Sequence, residues 1–480
     1  MDKKSINMTL TLLATTLLLG ACAPNVNNGA GGGEQTENEW DKTVVENYTY
    51  ASTLIPSTYY YVEVNGGYAQ TIPTSEAHVC VFGCDGVVKV EIDNLRAAIE
   101  SVVVRPVSKN YTYSHDGSKV TLLLKPYDRV VVEINGDETN PLFVFANPLE
   151  VERPQEDDPN VVYFKAGTIT DIHRMALKSG QTLYVEGGAI IRGSLFFESK
   201  ENVRIAGCGV LDSRESGDQA IKVGKTKGLT IENITVLNRD KWTTFLYEND
   251  NVLLDNYKVV AVATTHHEYG AENDACDLMG CKNVVVKRGF SYCHDDAFCV
   301  KSQKWSYKGE VDNIEFEDCI AWNVGGGNSF EIGYELNQNV NDVRYRNIYA
   351  IRTAGRTPTL RRGALGVQNG AGGRVTNISY DGVWVEDPRE YGIYMRVLES
   401  SYEIGTGVEW TPGQIDGVSV KNANFLVKPP YGFHFEGYDV DVHRLKNITL
   451  ENITIAGEKL TKSNAQRLGF VFKNADVEIK

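Results

Sequence analysis

One sequence motif recurs nine times from residue 202 onward in this 480-residue chain, and it constrains the fold more than any other feature. Each copy begins with Asn, Asp or Gly, continues with alternating apolar residues, and after a polar break ends in a second short apolar run. The alternation has period two and β-branched residues dominate, which disfavours a helical repeat. One coil of strands cannot bury its inward apolar residues alone, but stacked coils form parallel sheets around one continuous core. We therefore predict an all-β chain in which residues 151–480 form a right-handed parallel β-helix of about ten coils. The copies are "NVRIAGCGVLDS", "GLTIENITVLN", "NVLLDNYKVVA", "NVVVKRGFSYC", "NIEFEDCIAWN", "DVRYRNIYAI", "NISYDGVWVED", "GVSVKNANFLV" and "NITLENITIAG".

The segment before the repeats has a different pattern. Residues 41–150 contain short runs rich in Val, Tyr and Thr, such as "YYYVEVNGGYAQTI" and "RVVVEING", each bounded by Gly, Pro, Asn or Asp. Runs of this kind at this density are typical of a β-sandwich. Cys80 and Cys84, in "CVFGCDG", are close enough in sequence for a hairpin disulfide in an oxidising compartment. Residues 170–180, "TDIHRMALKSG", are expected to form a short helix or turn that caps the first coil.

The N-terminus has the pattern of a secretion signal. Two lysines precede an apolar stretch that is too short for a comfortable transmembrane helix. The stretch closes on "LGAC", which resembles the bacterial lipobox, and this resemblance implies cleavage after residue 21 and lipid attachment at Cys22. A plain signal peptide with an unrelated cysteine is the alternative. We therefore expect a lipoprotein signal peptide over residues 1–21, a flexible polar tether over 22–40, and a protein anchored by lipid in the bacterial cell envelope, periplasmic or on the outer surface.

The charge of the chain limits its partners. The formal net charge is −15 at pH 7, which argues against binding a nucleic-acid backbone through a broad basic face. It also gives no long-range attraction for polyanionic glycans, although a local basic pocket remains compatible with it. We expect the protein to be a monomer.

The run "YCHDDAFCVKS" places Asp295 and Asp296 side by side among apolar residues. Asp274 precedes this pair by 21 and 22 residues, which is about the length of a minimal coil, so it can lie one coil below them. Carboxylates crowded together cannot all stay ionised, so one becomes a proton donor near neutral pH. Glycoside hydrolysis needs such a split between an acid and a base. Two alternatives stay open, namely aspartates that only cap turns and a structural calcium site.

The segment around these aspartates resembles the core motif of glycoside hydrolase family 28, the polygalacturonases, and is similar to family 49 of the same clan. The resemblance implies an inverting hydrolase on a right-handed parallel β-helix that works without a cofactor. It also implies that Asp296 is the general acid and that Asp274 and Asp295 hold and activate the attacking water. A β-sandwich ahead of the helix resembles family 49 more than the typical polygalacturonase. The matching positions are Asp274, Asp277, Asn283, Val284, Asp295, Asp296, Lys301 and Ser302.

Two departures from the polygalacturonase pattern bear on the substrate. Asn328 occupies the position of the polygalacturonase histidine, as is usual in family 49. The basic pair that binds the galacturonate carboxylate should fall at 364–366, where this chain reads Ala-Leu-Gly. Arg361 and Arg362 lie close enough in sequence to substitute for it. These departures favour a neutral or differently charged glycan over pectate.

Several further residues are candidates for substrate binding. They could contact sugar hydroxyls, stack on a sugar face or orient a carboxylate, but a solvated loop, core packing or a surface ion pair would explain many of them equally well. We predict the following substrate-binding set: Asn328, Lys301, His266, His267, Trp242, Glu331 and Arg362.

The sequence thus predicts an inverting glycoside hydrolase that acts on an extracellular polysaccharide or oligosaccharide. Two alternatives use the same architecture. A polysaccharide lyase would need a uronate substrate and a Lys or Arg base, and a non-catalytic β-helix would bind glycans without shortening them.

Overall fold

The computed structural model describes residues 38–264, 271–353, 362–400 and 409–480. The predicted signal peptide, the lipidation site Cys22 and all but the last residues of the predicted tether lie outside these ranges. No helix within the described ranges is long and apolar enough to cross a membrane.

Two β-sheets build the N-terminal part of the described chain. In the first sheet the strand His78–Cys84 pairs in parallel with Leu142–Pro148, and the other pairings are antiparallel. The second sheet is antiparallel throughout. Buried apolar side chains such as Val62, Phe82 and Val132 fill the space between the two sheets. The first sheet contains Val45–Asn47, Thr71–Pro73, His78–Cys84, Val102–Arg105, Arg129–Ile134 and Leu142–Pro148, and the second contains Tyr60–Val64, Gly67–Tyr68, Val88–Asn94, Tyr113–His115 and Lys119–Leu124.

The hairpin disulfide predicted between Cys80 and Cys84 is wrong. Both cysteines lie in the one continuous strand His78–Cys84, and both are buried free thiols. Four residues of extended chain separate their Cα atoms by about 13 Å, which is far beyond the reach of a disulfide.

The rest of the chain coils into a right-handed parallel β-helix with three faces, as predicted. The first face, face A, stacks Val161–Phe164, Thr182–Val185, Glu201–Ala206, Lys227–Glu232, Asp250–Asp255, Lys282–Lys287, Val311–Glu317, the first halves of Val340–Thr353, Arg374–Pro388, Gln414–Phe425 and Leu445–Ile455, and finally Ala475–Ile479. Face B stacks Ile169–Met175, Ile190–Glu198, Val210–Asp212, Thr235–Arg239, Lys258–Val262, Phe290–Cys293, Ile320–Asn323 and the second halves of the four long strands. Face C continues from the end of Ile190–Glu198 through Ile221–Gly224, Thr244–Tyr247, Cys276–Met279, Phe298–Lys301, Phe330–Tyr334, Gly363–Asn369, Tyr391–Val397, Phe433–Glu436 and Phe470–Lys473.

A few short elements lie outside these sheets. They are the 3₁₀ turns Glu39–Lys42 and Val107–Lys109, the hairpin Gln303–Lys304 and Tyr307–Lys308, and the helix Ala465–Leu468. The short strand Glu458–Lys459 pairs antiparallel with the end of Leu445–Ile455. Of the helix or turn predicted for residues 170–180, the helix is wrong, because residues 169–175 form the strand Ile169–Met175 of the first coil. A turn occupies residues 179–180.

The first residue of each sequence repeat has a backbone conformation that explains its identity. All nine of these residues have φ between 53° and 86°, a left-handed conformation that Asn, Asp and Gly adopt at the lowest cost. Several of them also form an amide ladder between coils, since Asn283 donates to Asp250 and Asn313 donates to Asn283. The repeat signature therefore marks a local bend at the same place in every coil. The nine residues are Asn202, Gly228, Asn251, Asn283, Asn313, Asp342, Asn377, Gly417 and Asn447.

The sandwich packs against face B, and residues 39–480 form one compact unit. Phe143 of the first sandwich sheet lies 5.1 Å from Phe290 and 5.2 Å from Tyr292, measured between ring centroids. The sandwich and the β-helix therefore share a buried apolar interface that is distinct from the core of either part.

Candidate active site

The turns from face B to face C carry the predicted aspartates. Cys276 pairs with Phe298, and Phe298 pairs with Phe330, on three successive coils. Asp274, Asp296 and Asn328 each stand two residues before these paired positions, so they lie one above another. The coil spacing inferred from the sequence is confirmed at this place.

Lys301 is the centre of the cluster. Its ammonium nitrogen lies 3.7 Å from a carboxylate oxygen of Asp274, 3.6 Å from Asp277, 3.4 Å from Asp296 and 3.6 Å from Glu335. Burial alone would lower the pKa of Lys301, but the surrounding anionic groups raise it well above its usual value. The ammonium of Lys301 therefore lies among four buried carboxyl groups that favour its charged form.

Asp296 is held in its ionised form. Burial would raise the pKa of this carboxyl, but the charges of Lys301 and Arg362 and the hydrogen bonds from Asn328 outweigh that effect and lower it. The backbone and side-chain nitrogens of Asn328 both donate to Asp296 Oδ1, at 2.8 and 2.9 Å. Asn328 therefore contacts Asp296 directly and stabilises its negative charge.

Asp295 and Asp274 are held in the opposite state. Burial and the neighbouring charge of Asp296 raise the pKa of Asp295 to about 7. Burial, with Asp277 and Asp295 close by, raises the pKa of Asp274 well above its usual value. The environment therefore shifts the pKa values of neighbouring carboxyls in opposite directions, which is the arrangement that acid–base catalysis requires.

The aspartates open into a small pocket. Its walls include Trp242, Lys304, Tyr334, Glu335 and Arg362. Lys304 lies 2.8 Å from Glu335 and 4.8 Å from the centre of the Trp242 ring. The ring of Trp305 packs beside that of Trp242 at a tilt of 39°, with ring centroids 5.5 Å apart. Of the predicted substrate-binding residues, Trp242, Lys301 and Arg362 thus line the pocket.

Packing explains why positions 364 and 366 do not carry the basic pair expected from the polygalacturonase pattern. Ala364 is fully buried and belongs to the core of the β-helix. A Cβ atom at Gly366 would lie only 1.4 Å from Glu331 Oε2. Neither position can therefore carry an outward-pointing arginine or lysine in this backbone. Arg362 is itself buried, and it donates hydrogen bonds to the Gly326 carbonyl and the Tyr334 hydroxyl.

The side chain of Glu331 lies beneath the pocket and does not form part of its wall. Its side chain is fully buried, its Oε1 accepts a hydrogen bond of 3.2 Å from Gln368, and burial raises its pKa well above the usual value. The structure therefore places Glu331 beneath the site, and its predicted contact with substrate stays a prediction.

The remaining predicted residues, His266 and His267, lie outside the described ranges. Sequence reasoning missed Lys304, whose only signal was its position three residues after Lys301. Among the described residues, no group of three or more His, Cys, Asp or Glu side chains is arranged to hold a metal ion. The structure adds no support to the calcium alternative for the aspartates, because a lysine ammonium stands at the centre of the cluster.

A family profile fits this chain over most of the β-helix. The profile of the glycosyl hydrolases family 28 matches residues 170–467, which is more than half of the chain. The chain belongs to this family. It is accordingly a glycoside hydrolase with a family 28 and 49 polysaccharide-hydrolase fold. No curated protein matches the sequence at a significant level.

Solved structures show the same fold at low sequence identity. Dex49A from Penicillium minioluteum superimposes with a TM-score of 0.63 and 14% identity, over 90% of this chain and 96% of that one. A match of that extent reaches into the residues before the β-helix, in agreement with a family 49-like layout. The exopolygalacturonase from Thermotoga maritima matches with a TM-score of 0.48 and 16% identity, over 62% of this chain and 85% of that one. The family 28 exopolygalacturonase from Yersinia enterocolitica matches with a TM-score of 0.47 and 12% identity, over 82% and 96% of the two chains.

Proposed function

We propose that this protein is an inverting glycoside hydrolase that cleaves an extracellular polysaccharide or oligosaccharide at the Lys301-centred carboxyl cluster. The observation that supports this most is the split in protonation between two adjacent aspartates. Burial and the charge of Asp296 raise the pKa of Asp295 to about 7, whereas Lys301, Arg362 and Asn328 lower the pKa of Asp296 despite its burial. A glycosidase needs both forms in one site at one pH.

The split also favours a specific assignment of roles. Asp295 donates its proton to the glycosidic oxygen as the bond to the anomeric carbon breaks. Asp296, as the carboxylate, accepts a proton from the water that attacks that carbon from the opposite side, and the configuration inverts. Asp274, protonated and directly below Asp296, helps to hold this water. The family resemblance alone assigns the acid role to Asp296, so the two assignments differ and can be tested.

Lys301 and Asn328 support the base in this scheme. Asn328 donates two hydrogen bonds to one oxygen of Asp296, and the ammonium of Lys301 lies next to the other. Both favour the ionised form before the reaction begins. Each would also leave Asp296 a weaker base than an isolated carboxylate, which suits a reaction whose transition state is mainly bond breaking at carbon.

The packing around the cluster favours a neutral or weakly charged sugar at the cleavage point. Positions 364 and 366 cannot hold a basic pair, and Arg362 donates to two groups of the protein. The aromatic pair Trp242 and Trp305 offers a surface for the apolar face of a sugar ring, and Trp305 is 45% exposed. The lipobox-like sequence at Cys22 supports anchoring in the bacterial cell envelope, where extracellular polysaccharides are accessible to the protein.

The test is a screen of the protein without residues 1–22 against neutral and uronic-acid glycans, with release of reducing ends as the readout. Asp295→Asn and Asp296→Asn are the paired controls, and NMR of the first product distinguishes inversion from retention. We expect release by the wild type only, with an inverted anomer.

Each other result has a definite meaning. An unsaturated product that absorbs in the ultraviolet would establish a lyase instead. Binding of a glycan without any release, equal in wild type and variants, would establish a non-catalytic glycan-binding protein. On an aryl glycoside whose leaving group needs no protonation, a variant without the acid keeps activity and a variant without the base does not. Activity of Asp295→Asn alone on such a substrate would support Asp295 as the acid and Asp296 as the base, and activity of Asp296→Asn alone would support the assignment from family resemblance.

A further inference from the structure

One turn of the sandwich reaches the row of catalytic turns on the β-helix. Residues 73–77, which we call the docking turn, connect the strands Thr71–Pro73 and His78–Cys84. Thr74 fixes the turn, because its hydroxyl accepts a hydrogen bond of 2.9 Å from the Ala77 amide and donates one of 2.8 Å to the Ala77 carbonyl. On its outer side, the Pro73 carbonyl accepts a hydrogen bond of 3.2 Å from Arg214. The docking turn is therefore an ordered contact between the two parts of the protein.

Glu76 links the docking turn to the residue before Asp295. Its Oε2 lies 2.6 Å from His294 Nε2 and accepts a hydrogen bond of 3.5 Å from the Tyr292 hydroxyl. Its Oε1 accepts a hydrogen bond of 3.4 Å from the backbone amide of Ala263. The Glu76 side chain is only 16% exposed and that of His294 is fully buried. A carboxylate from the sandwich thus contacts the residue that immediately precedes Asp295.

His294 is held by its backbone as well as by its ring. Its amide donates a hydrogen bond of 2.7 Å to Asn273 Oδ1, and its carbonyl accepts one of 2.8 Å from the Gly326 amide. Asn273 immediately precedes Asp274, and Gly326 lies in the turn that carries Asn328. The contacts of His294 therefore join the three coils from which the catalytic side chains project.

We propose that Glu76 is a positioning residue of the active site, which fixes the turn bearing Asp295 and Asp296 by holding the ring of His294. This inference rests on the proposed function of those aspartates. Without the carboxylate, the buried imidazole loses a hydrogen-bonded partner at 2.6 Å, and the turn loses a side-chain link to the sandwich. A displacement of a catalytic group by about 1 Å can reduce turnover by about 100-fold, so the loss of this one contact is expected to act on turnover.

Attachment of the sandwich does not depend on Glu76. Elsewhere on the interface Lys109 lies 2.6 Å from Asp318, and Arg105 lies 2.6 Å from Glu386. The aromatic packing of Phe143 against face B adds to these contacts. Glu76 differs from them because its partner is next in sequence to a catalytic aspartate.

The experiment compares Glu76→Ala and Glu76→Gln with Lys109→Ala, which removes an interface contact far from the aspartates. Steady-state kinetics on the substrate found in the glycan screen are combined with hydrogen–deuterium exchange of peptides that cover residues 290–298. We expect Glu76→Ala to lower kcat by about 10- to 100-fold with little change in KM, and to speed exchange in those peptides. Glu76→Gln keeps a hydrogen-bond acceptor and should restore most of kcat. Lys109→Ala should change neither kcat nor the exchange of these peptides.

The experiment distinguishes a failure of the positioning role from a failure of the proposed function. Unchanged exchange and unchanged kcat in Glu76→Ala, with an active wild type, would overturn the positioning role alone. An equal loss of kcat in Lys109→Ala would reduce Glu76 to a general interface contact. An inactive wild type would reject the proposed function, and exchange at residues 290–298 would still decide whether Glu76 holds the turn.

Discussion

Replacing Lys301 by methionine should lower the free energy of unfolding, and the size of the loss should depend on pH. The substitution keeps an unbranched side chain only one atom shorter and removes the charge from among Asp274, Asp277, Asp296 and Glu335. The oxygen of Asp296 is 3.4 Å from the ammonium, a distance at which an ion pair gains about 5 kcal/mol at an effective dielectric constant of about 20. That energy corresponds to between three and four pKa units. Breaking a buried pair by removing one partner typically costs about 3–5 kcal/mol, which agrees with this figure.

The sign of the pH dependence follows from the pKa shifts. In the wild type the pKa values of Asp296 and Glu335 are depressed, so their contribution to stability is present above the ordinary carboxyl pKa and is lost as the pH falls through the lowered values. In Lys301→Met the same carboxyls are buried without their cation, and their pKa values rise above the unfolded values. Their contribution then reverses, and stability falls as the pH rises.

Urea denaturation at pH 5, 6, 7 and 8 measures this effect without a substrate. The loss of unfolding free energy should be smallest at pH 5, where the carboxyls of the variant can take up protons, and should grow to about 3–5 kcal/mol at pH 8. Lys287→Met is the matched control, because it removes the same charge from a surface pair with Asp255 and should cost at most about 1 kcal/mol. A loss for Lys301→Met that stays constant from pH 5 to pH 8, or one no larger than that of the control, would refute the view of Lys301 as the electrostatic centre.

Three further predictions concern the site and the fold. Turnover should decline as the pH rises through about 7, because Asp295 then loses the proton that it donates, and a pH–rate profile that is flat from pH 6 to pH 8 would contradict its role as the acid. Gly366→Ala should lower the unfolding free energy by about 1–3 kcal/mol in a denaturant titration, because the added methyl group overlaps the Glu331 carboxylate, and combining it with Glu331→Ala should recover part of that loss. Asn283→Ala should cost about 1–2 kcal/mol in the same assay, because alanine is strained at a φ of 53° and the bond to Asp250 is lost, whereas Asn283→Gly should cost less.

The convergence of the aspartates could be predicted because it follows from the repeat. A coil of 22 residues places Asp274 below Asp296, and this spacing can be counted in the sequence. The positions with left-handed backbone can be located in the same way, because each repeat begins with an Asn, Asp or Gly that adopts this conformation.

Other features of the site could not be predicted in this way. Which of the adjacent Asp295 and Asp296 is ionised depends on the side chain that meets Asn328 and Lys301, and neighbouring positions in a turn do not reveal that. Glu76 lies in the sandwich and His294 lies in the β-helix, 218 residues later in the sequence. The repeat of the β-helix does not extend into the sandwich, so it could not predict this contact. The disulfide prediction failed because closeness in sequence does not show whether the chain bends between Cys80 and Cys84, and here one strand continues through both.

The strands of face C fix the catalytic carboxyl groups, whereas the turns between strands shape the cleft, so the two can change separately in evolution. Hydrogen-bonded strands hold successive coils about 4.8 Å apart whatever connects them, and the connecting turns differ in length, from residues 294–297 to residues 324–329. Insertions in such turns can reshape the walls of the cleft while the carboxyl groups keep their spacing. A single residue inserted within a strand would instead turn every following side chain of that strand to the opposite face. Descendants of this chain can therefore exchange one sugar polymer for another by changing their loops, and they can lose the reaction through one insertion in a strand.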